Sequence, residues 1–321
     1  MLEKYVESKR KTFIIKRTIK VLPVILLATI IAFGLMRVGD PNPGRRILGD
    51  QATEEQVMEF NKEHGLHHPR HIQYINWMSG LPRGELGTSI RYGDPVGELI
   101  AARIPITLQM MGLSLLISAG LGVSVGVIGA LNHNTWIDYL CTIEALFWWS
   151  APSFWVGLIF LLFFGYELGW FPVGGYGGSI YYLILPATVL GIRLQAVIAR
   201  LTRSSMLSVL RKDYINTAKT KGLKGRVVVV KHALRNALIP VITIIALRLP
   251  WLFGGAMITE QIFNIPGMGR FIFTTAIARD MIAVQSTVLL IVVLVVLANL
   301  GADIAYTFVD PRIDLAESGG A

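Results

Sequence analysis

Six long apolar runs alternate with polar segments along this chain. They cover residues 13–36, 105–131, 140–164, 183–201, 239–259 and 284–308. Each approaches or exceeds the roughly 20 apolar residues that a helix needs to cross a bilayer. The pattern therefore predicts an all-α membrane protein with six transmembrane helices. An even number of spans places both termini on the same side of the membrane.

The polar region between the first two runs forms a long insertion, residues 37–104. Within it, Thr53 and Gln56 form a potential capping box, acidic residues follow Thr53, and Gly65 offers a stop, so we predict a short helix. The later stretch LPRGELGTSIRYGDP is rich in turn-forming residues and is predicted to be a loop.

Composition and charge support a membrane protein and give its orientation. The chain is 53% hydrophobic and 16% charged, with a formal charge of +9, whereas soluble domains carry about 25% charged residues. Seven Lys or Arg lie between Lys4 and Lys20 and ten between Arg200 and Arg235. Basic clusters beside apolar runs are typical of cytoplasmic flanks in contact with membrane lipid, not of nucleic-acid binding. We predict cytoplasmic termini and an extracytoplasmic insertion.

These boundaries predict four regions. The amino-terminal region and first span take residues 1–36, since the first apolar run is too long for a cleaved signal peptide. The extracytoplasmic region takes 37–104. A five-helix core takes 105–312 and contains a basic loop at about 204–239, and the cytoplasmic tail takes 313–321. The single cysteine, Cys141, excludes an intramolecular disulfide.

The basic loop contains a short helical pattern with a signal at each end. Asp213 suits an N-cap, Gly222 suits the position after the C-cap, and cations suit the last turn. Such a helix has about two turns and is marginal alone, so it must dock on something. The residues that we expect to contribute are Asp213, Tyr214, Ile215, Ala218, Lys219, Lys221 and Gly222, among which Tyr214, Ile215 and Ala218 form a small apolar patch. A simpler alternative is a basic loop that touches anionic lipid headgroups.

A second apolar pattern follows the short helix. Val227, Val230, Leu234 and Leu238 recur every three or four residues. This spacing predicts one apolar face on a helix that leads into the fifth span.

Several stretches of the sequence together resemble one protein family. They are NTAKTKG followed by ALIP, and also GELGTSI, PSFWVGLIF, ITEQIFNIPGMGR and DPRI. The first resembles the EAA loop of permease subunits in binding-protein-dependent ABC importers, although Asn216 and Thr217 depart from its Glu-Ala-Ala pattern. The whole set is similar to the peptide/nickel branch, in the type with a long first loop.

The resemblance implies a function and a set of partners. The short helix would be a coupling helix that docks in a groove of a separate ATPase subunit. Two such ATPases, carrying ATP and Mg, would act with a second permease, as a heterodimer, and with an extracytoplasmic substrate-binding protein. The complex would lie in the plasma membrane of a prokaryote. Peptides are the favoured cargo, with oligosaccharides or nickel as alternatives.

Candidate catalytic and metal-binding signals in the sequence are weak. No Gly-x-x-x-x-Gly-Lys-Ser/Thr motif is present, so nucleotide should bind another chain, and no cofactor is expected on this one. His64, His67, His68 and His71 could suggest a metal, but Pro69 interrupts their spacing and favours a solvated linker. Ser204 and Ser205 have no triad partners nearby in sequence. A membrane enzyme is therefore disfavoured.

Charged residues within the spans are candidates for a translocation path. Arg193 and Arg248 lie well inside the fourth and fifth spans, and Glu144 lies inside the third. Such charges usually face a bundle interior or a watery cavity. Either arginine could instead pair structurally with Glu144 or with carbonyls freed by Pro250, which favours a helix break near Arg248. The rival function is a secondary transporter, which would need more carboxylates within the membrane than Glu144 provides.

Glycines within the spans predict close helix packing. Gly120, Gly122 and Gly126 lie in the second span, and Gly254 and Gly255 in the fifth. Small residues at four-residue spacing let helix backbones approach closely in lipid.

Overall fold

The computed structural model describes residues 2–35, 37, 43–49 and 51–309 of the 321-residue chain. Helices dominate these residues, whose β pairing is limited to one bridge between Thr88 and Pro95. The all-α class is thus confirmed. The helices are α1 (Leu2–Leu35), α2 (Pro43–Leu48), α3 (Glu54–Glu63), α4 (Arg70–Gly80), α5 (Val96–Ala101), α6 (Ile104–Leu131), α7 (Trp136–Ser150), α8 (Ser153–Phe160), α9 (Tyr181–Leu210), α10 (Asp213–Thr220), α11 (Gly225–Val227), α12 (Arg235–Ile262), α13 (Met268–Ile277) and α14 (Met281–Val309).

Five helical stretches of the described chain are long and apolar enough to cross a bilayer. A sixth span arises if the bent stretch from Trp136 to Glu167 counts as one crossing. This agrees with the predicted number of spans. The predicted ends differ at several spans. Helix α9 runs on to Leu210 instead of ending near residue 201, and the stretch that contains the fifth span begins at Gly225 instead of near residue 239. The five stretches are Ile15–Gly34, Val96–Leu131, Tyr181–Leu210, Gly225–Ile262 and Met281–Ala302.

The third span is broken, and the prediction of one continuous helix over residues 140–164 is wrong. Helices α7 and α8 meet at an angle of 105°. Ala151 has an extended backbone (φ −65°, ψ 131°) and Pro152 follows it. Proline has no N–H to donate and disfavours helical geometry in the residue before it. Beyond α8 the chain continues as a π-helical segment, Leu161–Glu167.

The helix break predicted near Arg248 is absent. Helix α12 runs without interruption from Arg235 to Ile262 through Pro240 and Pro250. Proline costs a helix one hydrogen bond, but packing against neighbours makes this tolerable in transmembrane helices. Leu252 and Ala256, just beyond Pro250, are fully buried and provide such packing.

The chain folds as two compact units, of which the first includes Leu108–Ile265. Its α6 and α9 cross closely. A Cβ added to Gly126 would lie 2.5 Å from the Ala199 carbonyl oxygen, and one added to Gly122 would lie 2.7 Å from Ile198. Only glycine permits this approach, so the predicted packing is confirmed there. Gly120, on the same helix, has no neighbouring atom within 4 Å of its potential Cβ.

The two adjacent glycines of α12, Gly254 and Gly255, also differ in their surroundings. A Cβ on Gly255 would lie 2.8 Å from Leu190, so this glycine serves packing, whereas Gly254 has no atom within 4 Å. The packing role predicted for Gly254 is therefore wrong.

The second compact unit combines Thr18–Thr107 with Pro266–Val296. Its loop at Gly84–Pro95 is held by Asp280, which caps α14. The Asp280 carboxylate accepts hydrogen bonds from Ser89 Oγ at 2.5 Å, from the Arg91 amide at 3.1 Å and from the Ala283 amide at 3.0 Å. This buried side chain thus gives an irregular loop a fixed conformation. The predicted loop is confirmed, apart from a short 3₁₀ turn at Leu81–Arg83.

The predicted short helix of the insertion is also confirmed. Thr53 and Gln56 form both hydrogen bonds of a capping box at the start of α3. Gly65 follows the end of the helix with φ of +64°, a conformation that suits glycine.

Arg37 connects the end of α1 to α14. Its guanidinium stacks 3.5 Å from the Phe33 ring centroid, and Nη1 donates to Gln285 Oε1 at 2.8 Å. Burial, together with the positive charge of Arg70, lowers the pKa of Arg37 to about 10. The side chain therefore remains charged near neutral pH.

Candidate functional site

The short helix of the basic loop is present as α10, but its first residue differs from the prediction. The N-cap is Lys212, with an extended backbone and no capping hydrogen bond from its side chain. Asp213 is the first helical residue, so its predicted N-cap role is wrong. Its carboxylate still lies in the first turn, where negative charge is favoured by the helix dipole.

The end of α10 is as predicted. Lys221 is the C-cap, and Gly222 follows it with φ of +78°. The Gly222 amide donates to the Lys219 carbonyl at 3.0 Å, and the Leu223 amide donates to the Ala218 carbonyl at 3.4 Å. This pair of bonds is the Schellman arrangement, which requires a left-handed residue at this position.

The predicted apolar patch on α10 divides between two faces. Ile215 and Ala218 are buried and pack with Met206, Val228 and Ala233 of the same chain. Tyr214 is 45% exposed and lies outside that cluster. The helix is thus anchored to its own subunit by two residues, which are not available to a partner. Asp213, Lys219, Lys221 and Gly222 are exposed.

The apolar face predicted after α10 is wrong at its first two positions, although Leu234 does pack against the buried cluster. The buried residues are Val228, Ala233 and Ala237, whereas Val227 and Val230 are exposed. The segment Val228–Leu234 is π-helical, and its five-residue hydrogen-bond spacing rotates the buried face away from the one expected for an α-helix. The loop therefore presents four exposed apolar side chains, which we call the loop surface: Tyr214, Leu223, Val227 and Val230.

Arg193 lies between two tryptophans inside the membrane-spanning part. Its guanidinium carbon is 5.4 Å from the Trp149 ring centroid and 5.6 Å from that of Trp251. Its Nε is buried and has no hydrogen-bond partner among the described residues. Arg248 is partly buried and lies three residues before Trp251 on α12, so both occupy one face of that helix.

Glu144 contacts Gln195, whose Nε2 donates to Glu144 Oε2 at 3.3 Å. Arg193 and Gln195 are two residues apart on α9 and therefore point in directions about 200° apart. This contact links α7 to α9 on a different side of α9 from the Arg193 side chain.

An ion pair that the sequence analysis missed joins α7 to α9. Arg203 donates to both oxygens of Asp138, from Nε at 2.5 Å and from Nη2 at 2.7 Å. The Asn134 amide also donates to Asp138, and His133 Nδ1 lies 3.1 Å from the same carboxylate. Asn134 has φ of 62°. The turn residues of the NHNT stretch were the available signal, but their partner on α9 lies 65 residues away along the chain.

The histidines of the insertion do not form a metal site within the described residues. No group of three or more His, Cys, Asp or Glu there is arranged to hold an ion. His64 instead stacks on Phe60, with ring centroids 4.1 Å apart, and the tilted rings of His67 and His68 lie 3.9 Å apart.

Comparison with known proteins identifies the family. The model of the binding-protein-dependent transport system inner membrane component matches residues 122–315. The model of the amino-terminal part of such membrane components matches residues 11–111.

Curated relatives match along nearly the whole chain. The oligopeptide transport system permease protein AppB of Bacillus subtilis is 40% identical, covering 94% of this chain and 99% of its own. The dipeptide transport system permease protein DppB of Alkalihalophilus pseudofirmus is 38% identical, covering 94% and 98%. The glutathione transport system permease protein GsiC of Salmonella typhimurium is 34% identical, with the same coverage.

A solved structure shares the fold. A chain of the MetNI methionine ABC transporter superposes with a TM-score of 0.57 at 19% identity, covering 66% of this chain and 96% of that one. With these family matches and relatives, the chain belongs to the binding-protein-dependent transport system inner membrane components.

Proposed function

We propose that this chain is the permease subunit of a peptide importer, driven by ATP hydrolysis on separate subunits. Relatives with between 34% and 40% identity are named for oligopeptide, dipeptide and glutathione transport. Its partners are a second permease, two ATPases and an extracytoplasmic binding protein, and both termini are cytoplasmic.

The observation that carries the proposal is that α10 is buried on one side and exposed on the other. Ile215 and Ala218 fix one side of the helix to its own subunit, whereas Tyr214 and the rest of the loop surface remain exposed. A helix that is held rigidly and presents an exposed aromatic residue suits transmission of motion from a partner. Aromatic side chains are frequent hot spots at protein interfaces.

The test is purification of the tagged chain from its native host. An ATPase with a phosphate-binding loop and a second permease should co-purify. Tyr214→Ala should lower the amount of ATPase recovered without lowering the thermal stability of the permease. Tyr166→Ala, which removes a more exposed tyrosine elsewhere, is the control and should recover wild-type amounts.

A second variant separates docking from anchoring. Ile215→Ala should lower both ATPase recovery and thermal stability, because this residue belongs to the buried cluster. If Tyr214→Ala and Ile215→Ala both retained wild-type ATPase recovery and transport, α10 would not be the coupling element.

We further propose that Arg193 and Arg248 line the path of the peptide. The buried, unpartnered Nε of Arg193 and its two tryptophan neighbours support a site for a carboxylate. The Glu144 contact to Gln195 supports a structural role for that carboxylate, so the proposed path relies on the two arginines.

Uptake of a tripeptide and of its C-terminal amide tests this path. Arg193→Gln should lower uptake of the free acid by about tenfold, as expected for losing a charge-assisted hydrogen bond of ~1.5 kcal/mol. Uptake of the amide should change little, and Arg248→Gln should behave alike. Equal losses for both peptides would contradict carboxylate recognition while leaving the coupling role of α10 intact.

A further inference from the structure

A small cavity in the second compact unit is lined by three arginines. It has a volume of about 160 Å³ and includes Arg91 from the loop, Arg103 just before α6, and Arg270 from α13. Tyr92 and Phe271 supply aromatic walls, and Pro266, Gly267 and Thr274 complete the lining. No Asp or Glu is among the described residues that line it. Like charges facing one cavity repel each other, and a bound anion would relieve the repulsion.

The guanidinium groups of Arg103 and Arg91 are held in place by their surroundings. Arg103 stacks 4.4 Å from the Phe271 ring centroid, and its Nη1 donates to the Leu99 carbonyl. Arg91 lies 5.5 Å from the Tyr92 centroid, and its Nη1 donates to the Thr274 carbonyl at 3.3 Å. A guanidinium carries five N–H donors, and these bonds use one nitrogen of each. The Arg91 and Arg103 side chains are therefore positioned before any ligand arrives.

The backbone around the cavity is also fixed. The Met268 amide at the start of α13 donates to Thr107 Oγ1 at 2.9 Å. Phe271 and Met268 are buried in a cluster with Val96 and Ile100 of α5. The loop that carries Arg91 is bound by Asp280 through the Arg91 amide. Three separate segments thus form one built cavity.

The position of Arg103, near the start of the apolar stretch Val96–Leu131, is typical of the edge of a membrane-spanning segment. Arg103 directly precedes Ile104, where the long apolar helix α6 begins. Tyr92 is 39% exposed, and aromatic residues of this kind concentrate at the level of lipid headgroups. Ile277, one turn beyond Thr274 on α13, is 68% exposed and offers an apolar surface for an acyl chain.

We propose that this cavity binds the phosphate of an anionic phospholipid. The planar guanidinium of arginine can donate two parallel hydrogen bonds to a pair of phosphate oxygens. A cavity of 160 Å³ accommodates one headgroup phosphate with a few waters. Phosphate is abundant at the membrane edge, where the cavity lies. The lipid would bridge the loop, α6 and α13 and hold these segments together. This role requires only membrane insertion and does not depend on the cargo.

Native mass spectrometry of the purified full chain provides the test. Phosphatidylglycerol, added in detergent, should bind at least fivefold more tightly than phosphatidylcholine. Arg103→Gln and Arg270→Gln should each abolish this preference. Arg83→Gln, which changes an exposed arginine of the same unit outside the cavity lining, should retain it. Circular dichroism of each variant monitors folding. Arg103→Lys, which keeps the charge, should retain only part of the preference for phosphatidylglycerol.

Further arms distinguish the source of the anion. Inorganic phosphate at millimolar concentration should not displace phosphatidylglycerol, because it lacks acyl chains. Displacement by phosphate alone would overturn the lipid assignment in favour of a free-anion site. Unchanged lipid preference in the folded Arg103→Gln and Arg270→Gln variants would also overturn it. If those variants kept the lipid preference but, when assembled with the ATPase subunits, lost binding-protein-stimulated ATP hydrolysis, an acidic protein surface would be the occupant instead.

Discussion

Asp138 and Arg203 show how single residues connect helices inside the first compact unit. Two hydrogen bonds join them, and the Asp138 side chain is only 4% exposed. A buried carboxylate that loses its partner retains the full penalty of burial. The pair is therefore a contact on which the geometry of α7 and α9 depends.

We expect Arg203→Gln to lower the free energy of unfolding by about 3 kcal/mol, at the low end for breaking a buried ion pair. Asp138→Asn in the same background should recover part of the loss, because the buried charge is removed. Unfolding by denaturant in detergent measures both changes. Arg200→Gln, one turn earlier on α9 and exposed, should stay near wild type. A loss for Arg200→Gln equal to that for Arg203→Gln would contradict the assignment.

Gly222 determines how α10 ends. With φ of +78° and no atom within 4 Å of a potential Cβ, the position excludes other residues by backbone conformation and not by crowding. Gly222→Val should cost about 1–2 kcal/mol locally and reduce ATP hydrolysis coupled to uptake. Gly222→Asn should preserve coupling, because asparagine tolerates left-handed geometry. Comparable defects in both variants would indicate that the side-chain volume matters instead.

At the scale of elements, close helix contact depends on which glycines face a neighbour. A Cβ added to Gly126 would clash with the α9 backbone, whereas one added to Gly120 on the same helix would have no neighbouring atom within 4 Å. The pair thus offers two nearly identical substitutions with different environments.

Gly126→Ala should lower the free energy of unfolding by roughly 2 kcal/mol, since overpacking typically costs 1–3 kcal/mol. Gly120→Ala should be neutral or slightly stabilising, because alanine favours helix over glycine. Thermal unfolding of the two purified variants measures the difference. Equal midpoints would show that α6 and α9 can separate without cost.

For the whole molecule, the testable property is the orientation in the membrane. With Cys141 changed to Ser, single cysteines at Thr53 and Ser179 should react with an impermeant thiol reagent added to intact cells. A cysteine at Lys224 should react only after lysis. All three positions are exposed in the structure, so a lack of reaction reports the side of the membrane and not burial. Labelling of the cysteine introduced at Lys224 in intact cells would contradict the predicted topology.

The sequence by itself determined the class of the protein, the approximate spans and the ends of several helices. These features follow from local chemistry. An apolar run must avoid water wherever it lies, Thr53 and Gln56 cap a helix three residues apart, and Gly222 adopts a left-handed backbone next to the helix that it ends. Each of these interactions joins residues close together in the chain.

Only the tertiary structure decided which faces are buried and which distant residues meet. The π-helical segment at Val228–Leu234 shifts the buried face by its hydrogen-bond spacing, and Pro152 bends a span whereas Pro250 does not. Asp138 meets Arg203, and Arg91, Arg103 and Arg270 share one cavity, across long stretches of sequence. The reason is that burial and ion pairing depend on contacts between separate helices, and their packing is a property of the folded chain as a whole.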